Sequence, residues 1–346
     1  MSFSLQQSQL HSPLLGDVEI ATLFSVDADI SAMLEFEVAL AVAEAKFGFI
    51  PAETATEISS SLKLFVVDHA KLAEGVARDG MTVPALVAQL KAHSNQHLHF
   101  GSTSQDVIDT SLMIRAKKSF AIFLKRVELV LANLEKLTAS FGNNTLMART
   151  RMQQALPFTV ADRIASWVSG VEDAQALIKL CRFPLQFGGP IGVLSEFGDN
   201  AAALKFSIAQ HLDLEAIPQN WHSTRAPIVA LANACSLITG ALGKMGADCC
   251  LMAQNELAEI DFSSGGTSSV MHHKKNPVQA ETLVTLARFN ATLVSGLHHS
   301  LVHEQERSGA AWTLEWLLLP QMILAAAAAT RLSSELLHSI TAMGRI

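Results

Sequence analysis

The chain has 346 residues, 49% hydrophobic and 16% charged, so it has apolar surface enough for a packed core and is not a disordered chain. Its 25 basic and 32 acidic side chains give a formal net charge of −7. With no basic block, a nucleic-acid-binding surface is not expected, though a local anion pocket remains open. This length suits two or three domains or one elongated helical core.

The N-terminus, residues 1–15, is rich in Ser and Gln. It lacks a basic region followed by an apolar core and does not read as a signal peptide. Ala, Leu, Glu, Gln and Lys dominate the whole chain, and no alternating runs bounded by hairpin turns stand out, so the expected class is all-α. Residues 1–101 read as a smaller helical domain with turns at Gly48-Phe49-Ile50-Pro51 and at Asp79-Gly80.

His97-Leu98-His99-Phe100-Gly101-Ser102-Thr103-Ser104-Gln105-Asp106 comes next, rich in helix-capping side chains. Its hydroxyls and free backbone N–H groups suit a carboxylate; plain capping explains the same residues. A proline-free stretch from Val107 to Phe141 follows, 35 residues ended by Gly142-Asn143-Asn144. As a helix it is about 52 Å long, which points to a bundle extending through an oligomer. Arg149-Thr150-Arg151-Met152-Gln153-Gln154-Ala155-Leu156-Pro157 then offers two arginine forks and two amides, either a carboxylate site or a solvated turn.

Further long helices are expected over Phe158–Leu180 and Ile228–Glu256. The second carries Gly240, Gly243 and Gly246, a stripe that lets another helix approach closely. No internal repeat or heptad array stands out. Gln186-Phe187-Gly188-Gly189-Pro190-Ile191-Gly192 lacks the strand and the G-x-G-x-x-G pattern of a nucleotide loop.

Residues 102–290 thus form a central long-helix domain, with a polar Ser/Gly loop near 260–276. Ser268-Ser269-Val270-Met271-His272-His273-Lys274-Lys275-Asn276-Pro277 closes that loop. Asn276 suits a helix cap and Pro277 a first helical turn, and a helix N-terminus beside Lys274 suits a carboxylate. A capped surface loop is the alternative.

Residues 291–346 read as a short C-terminal helical segment. His299 and His303 stand at i, i+4 on an expected helix, but no third ligand is evident and no metal is expected. Leu317–Ala329 is interrupted by Pro320 and Gln321, too short for the roughly 20 apolar residues of a membrane span, and reads as a core helix. Arg307 and Trp312 fit either the core or a pocket wall, and Glu315 reads as structural. Cys181, Cys235, Cys249 and Cys250 form no C-x-x-C pair and read as reduced thiols of a cytoplasmic protein.

Together these segments resemble the three signature regions of the fumarase/aspartase superfamily. His99, Gly101, Thr103, Ser104 and Asp106 match H-x-G-x-T-S-x-D. The serine-loop segment resembles G-S-S-x-M-P-x-K-x-N-P, with Thr267 in place of the glycine and His272 in place of the proline. The arginine segment resembles R-T-H-x-Q-x-A, with Arg151 where the family usually has histidine. The resemblance spans residues 15–320 and is greatest to the carboxymuconate cycloisomerase branch, through His303–Trp316. It implies a C-terminal domain smaller than that of fumarases and aspartases.

The resemblance implies elimination or addition beta to a carboxylate, with no cofactor and no metal. It assigns proton transfer to Ser268, activated in part by Lys274. It assigns substrate binding to His99, Thr103, Ser104, Arg151, Gln153, Ser269, His273 and Asn276. It implies a homotetramer whose active sites combine signature regions from three subunits, acting on a small polycarboxylate, with no nucleic-acid or membrane partner. Arg151 fits a cycloisomerase, whose internal carboxylate leaves without needing a proton; an arginine there can hold the third carboxylate. The alternative is a superfamily lyase acting on a succinyl adduct.

Overall fold

A computed structural model describes residues 8–263, 265–267 and 275–345. The chain opens with α1 (Ser12–Leu15), α2 (Val18–Leu23), α3 (Val26–Lys46), α4 (Ala52–Leu62), α5 (His69–Asp79) and α6 (Val83–His93). Asp17 and Ser25 cap α2 and α3, accepting from the N–H groups of Ile20 and Ala28 at 3.0 and 3.2 Å. Phe36, Leu40, Ile58 and Leu86 bury one face of this region against Phe187, Phe197, Leu204 and Ile208. The last two lie on α9 (Ala201–His211).

The centre is a bundle of α7 (Ser104–Phe141), α8 (Val160–Leu180), α10 (Ala226–Met252), α11 (Val278–His299) and α12 (Gly309–Ser339). The three long helices expected from the sequence are α7, α8 and α10, with ends shifted by a few residues. The fully helical Leu317–Ala329 lies in the core as expected. Both α10 and α12 are long and apolar enough to cross a membrane, yet they pack on each other and on α11 at the bundle centre.

Among the buried positions of α7 are Met113, Ala116, Phe120, Phe123, Val127, Val130, Leu134 and Leu137. Their spacing alternates three and four, a heptad seam that the sequence reading did not find. Small Ala116 and the aromatic pair interrupt the usual Leu/Ile pattern, and the exposed Leu129 blurs the face. The glycine stripe of α10 acts at two of its three positions. A Cβ on Gly246 would stand 2.6 Å from the Ala280 carbonyl oxygen, and one on Gly243 would stand 2.5 Å from Ala287 Cβ. Gly240 faces open space.

Three expectations need correction. The segment after α7 is a β-hairpin, β1 (Thr145–Thr150) with β2 (Gln153–Thr159), not a simple turn before a helix. Its two-residue loop has no Asn-Gly or Asp-Gly signal, because Arg151 and Met152 themselves take positive φ, 48° and 68°. Asn276 does not cap α11. It pairs with Gly266 in a small ladder, β4 (Gly266–Thr267) with β5 (Lys275–Asn276), and Pro277 occupies the cap position. The helix α11 ends at His299, so His303 lies beyond it and the two imidazoles do not share a helix face.

A third ladder joins β3 (Ile260–Phe262) to β6 (Ile340–Met343), and Thr145 bridges to Arg345. The bases of the hairpin and of the serine loop therefore meet near the chain's last described residues.

Candidate active site

The N-terminus of α7 is built around Asp106. This buried carboxylate accepts from the backbone N–H groups of Thr103, Gly188 and Gly189 at 3.1, 2.8 and 2.9 Å, and lies 2.8 Å from His222 Nε2. It ties the helix start to the loop at Gly188-Gly189. A Cβ on Gly189, at φ 69°, would meet the Gly101 carbonyl oxygen at 2.9 Å, so glycine is needed for the approach. Thr103 takes the N-cap position and Ser104 the first helical one, both half-buried. Their hydroxyls and the first-turn N–H groups are the kind of donors that suit a carboxylate.

His99 stands beside this end with a φ of 66°. Its Nδ1 is 2.6 Å from Glu37 Oε1 on α3. Burial opposes the imidazolium, but the Glu37 carboxylate, aided by Asp106, outweighs it and raises the His99 pKa. Seven residues from Glu37 on α3 lies Glu44, whose carboxyl is pushed up to about 9 by burial and by the charge of Glu37.

Under the same end lies a buried ion-pair network. Arg225 forks onto both oxygens of Asp109 at 2.6 and 3.0 Å and also donates to Glu315 at 2.6–3.2 Å. Trp312 Nε1 donates to Asp109 at 2.9 Å. Burial raises the Asp109 pKa, but the guanidinium overcomes this and holds it below the usual carboxylate range. Trp312 and Glu315 are thus core residues, whereas Arg307 reaches Gln105 Oε1 at 2.9 Å beside the α7 N-terminus.

Arg151 occupies the hairpin tip, with Gln153 next to it, and both are exposed. Non-glycine residues at positive φ cost about 1 kcal/mol or more each, a strain that clusters at functional positions. Arg149 is not free for a ligand, because its guanidinium lies 3.1 Å from both Glu259 oxygens. Asn276 is half-buried and lines a cleft with Cys250, Asp261, Glu281 and Ala342. Ser268, Ser269, His272, His273 and Lys274 lie outside the described residues.

One chain does not unite these groups. The 38 residues of α7 span about 57 Å. The ten residues from Phe141 to Arg151 reach back at most about 35 Å, so Arg151 lies at least about 20 Å from Ser104. Asn276 lies with Cys250 near the C-terminal end of α10, while Arg225, at the other end, holds Asp109 near the α7 N-terminus. His99, Thr103 and Ser104 come together; Arg151 with Gln153, and Asn276, stand apart from them.

Sequence reasoning passed over Glu37, Glu44, His222 and Arg225. A signal existed for the first two. They stand seven residues apart on α3 among the buried Met33, Phe36, Leu40 and Ala41, two charges in an apolar face.

A family model described as Lyase matches residues 19–291. The chain is also 33% identical over 348 residues to the 3-carboxy-cis,cis-muconate cycloisomerase of Acinetobacter baylyi, covering 96% of this chain and 77% of that one. The chain belongs to the fumarase/aspartase superfamily. Within it, the fold superposes on the 3-carboxy-cis,cis-muconate lactonizing enzyme of Pseudomonas putida with a TM-score of 0.91 and 28% identity, over 97% of this chain and 77% of that one. It is also 32% identical to an N-acetyl-S-(2-succino)cysteine lyase of Enterococcus italicus, over 88% of this chain and 69% of that one. Membership of the superfamily accounts for the joint presence of the serine-loop, arginine and His99–Asp106 segments.

Proposed function

We propose that this chain interconverts 3-carboxy-cis,cis-muconate and 4-carboxymuconolactone, in the catabolism of aromatic compounds through protocatechuate. One observation carries the reading: the likeness to the Acinetobacter cycloisomerase runs over 96% of this chain. The donor-rich N-terminus of α7 and an arginine at positive φ on a hairpin tip support it.

In the forward direction a substrate carboxylate oxygen attacks the diene carbon beta to a second carboxylate. The C–O bond forms, the electron pair moves onto that second carboxylate as an aci-dianion, and a proton is delivered to the alpha carbon. Ser268 delivers this proton and removes it in reverse, with Lys274 stabilising the alkoxide. Thr103, Ser104, His99, Ser269, His273 and Asn276 hold carboxylates, and preorganised donors there oppose the developing charge. Arg151 and Gln153 hold the third carboxylate and keep the chain in a near-attack shape. The leaving carboxylate is a stable anion, so a general acid at position 151 is not required.

Since one chain leaves Arg151 at least about 20 Å from Ser104, we propose that sites form between copies in a homotetramer. This is also where the exposed Leu156 of the hairpin would be covered. The expected boundary at 290/291 falls inside α11, and α12 packs in the central bundle, so residues 291–346 are part of that bundle. We further propose a cytoplasmic location and no cofactor, metal, nucleic-acid or membrane partner.

The N-acetyl-S-(2-succino)cysteine lyase, 32% identical to this chain, favours a second reading, cleavage of a succinyl adduct. Proton NMR of reaction mixtures separates the two. The lactone ring signal should grow from 3-carboxy-cis,cis-muconate, and no fumarate should appear from S-(2-succino)cysteine derivatives. Fumarate without lactone would replace the first reading by the second.

A further inference from the structure

The His99–Glu37 contact deepens the reading of the α7 end as a carboxylate site, and rests on it. His99 Nδ1 lies 2.6 Å from Glu37 Oε1, and the two side chains are 15% and 1% exposed. His99 takes a φ of 66°, in the left-handed region that non-glycine residues adopt uncommonly. No described residue hydrogen-bonds to Nε2, the ring's other nitrogen.

We propose that Glu37 is a positioning residue: it takes the Nδ1–H of His99 and keeps the ring an imidazolium whose Nε2–H binds a substrate carboxylate beside Thr103 and Ser104. His99 thus serves as a cation and not as a base. The charged groups that face it are Glu37 on α3, Asp106 on α7 and Lys91 on α6. The two carboxylates favour the imidazolium, and Lys91 opposes it. Glu44 lies seven residues from Glu37 on α3, and each has one buried oxygen without a hydrogen-bond partner among the described residues, Oε2 of Glu37 and Oε1 of Glu44. Two such carboxyls do not both ionise cheaply in a buried site. The imidazolium draws the charge to Glu37 and leaves Glu44 as the neutral acid.

The alternative is that Glu37 merely holds α3 against the His97–Asp106 segment. A structural role of this kind predicts an effect that does not depend on pH and survives removal of the imidazole. A carboxylate-positioning role predicts the reverse on both counts.

The test is calorimetric binding of tricarballylate, a saturated tricarboxylate, to the purified full-length protein from pH 5.5 to pH 8.5. Wild type, Glu37→Gln, His99→Gln and the double variant are compared. For wild type the Kd should stay level to above neutrality. For Glu37→Gln, of nearly the same shape, Kd should match wild type at the acid end and rise about tenfold by pH 8, the scale of one charge-assisted hydrogen bond. In the His99→Gln background, Glu37→Gln should add nothing. A Glu37→Gln Kd equal to wild type at every pH would overturn the proposal. So would an equal loss at every pH, an additive loss in the double variant, or no binding of tricarballylate by wild type. Binding that follows the expected pH pattern without turnover of carboxymuconate would leave the Glu37 role standing and remove the cycloisomerase reading alone.

Discussion

Replacing Glu44 by Gln should make the protein more stable, and increasingly so as the pH rises. Glu44 is 1% exposed, and its surroundings push its carboxyl up from the ordinary 4.5 to about 9. Burial is the larger cause and the Glu37 charge the smaller. Between those two values the unfolded chain has released the proton while the native chain keeps it. Stability therefore falls as pH rises, by about 1.4 kcal/mol per pH unit. From pH 5 to pH 8 this one group removes about 4 kcal/mol, a large share of the 5–15 kcal/mol typical of a domain. Glu44→Gln keeps the shape and lacks the titration. Urea unfolding followed by tryptophan fluorescence reads the difference between variant and wild type at each pH. That difference should widen by about 4 kcal/mol from pH 5 to pH 8. Parallel stability profiles would show that Glu44 is ionised in the fold and refute the argument.

Three further substitutions probe other contacts. Gly246→Ala pushes a Cβ to 2.6 Å from the Ala280 carbonyl oxygen and should lower stability by about 1–3 kcal/mol. Gly240→Ala meets nothing within 4 Å and should raise it by about 0.5–1 kcal/mol; thermal melts of the pair should move in opposite directions. Arg225→Met strands the Asp109 and Glu315 carboxylates in the core and should cost about 3–5 kcal/mol in urea unfolding at neutral pH. The deficit should shrink in acid, because Asp109 supports the wild-type fold only above its depressed pKa and the stranded carboxyls of the variant take up protons. Arg151→Ala should raise KM for carboxymuconate roughly 10- to 100-fold with kcat less affected, the scale of a lost charged hydrogen bond. An unchanged KM would remove Arg151 from the substrate.

The sequence made the bundle legible because α7, α8 and α10 carry long helical patterns free of internal proline, with α7 stopped at Gly142; the end of α10 fell four residues before the expected Glu256. The hairpin was hidden because its turn rests on positive φ at Arg151 and Met152, residues that do not advertise it. Asn276 misled as a cap because Pro277 takes that position and Asn276 is drawn into pairing with Gly266. At the site, the hydroxyls and capping residues of Thr103–Asp106 declare themselves locally. The partners that position them, Glu37, Gly188 and His222, come from distant segments and are joined only by the fold. The same holds for Arg225, which faces Asp109 from 116 residues away.

The most direct test of the proposed reaction is the ultraviolet absorbance of the conjugated diene when purified protein meets 3-carboxy-cis,cis-muconate, with Ser268→Ala alongside. Rapid loss with wild type and little with the variant is the expected result, and it joins the cycloisomerase reaction to its proton-transfer residue. Equal loss with both would contradict the role of Ser268, and no loss with either would contradict the reaction itself.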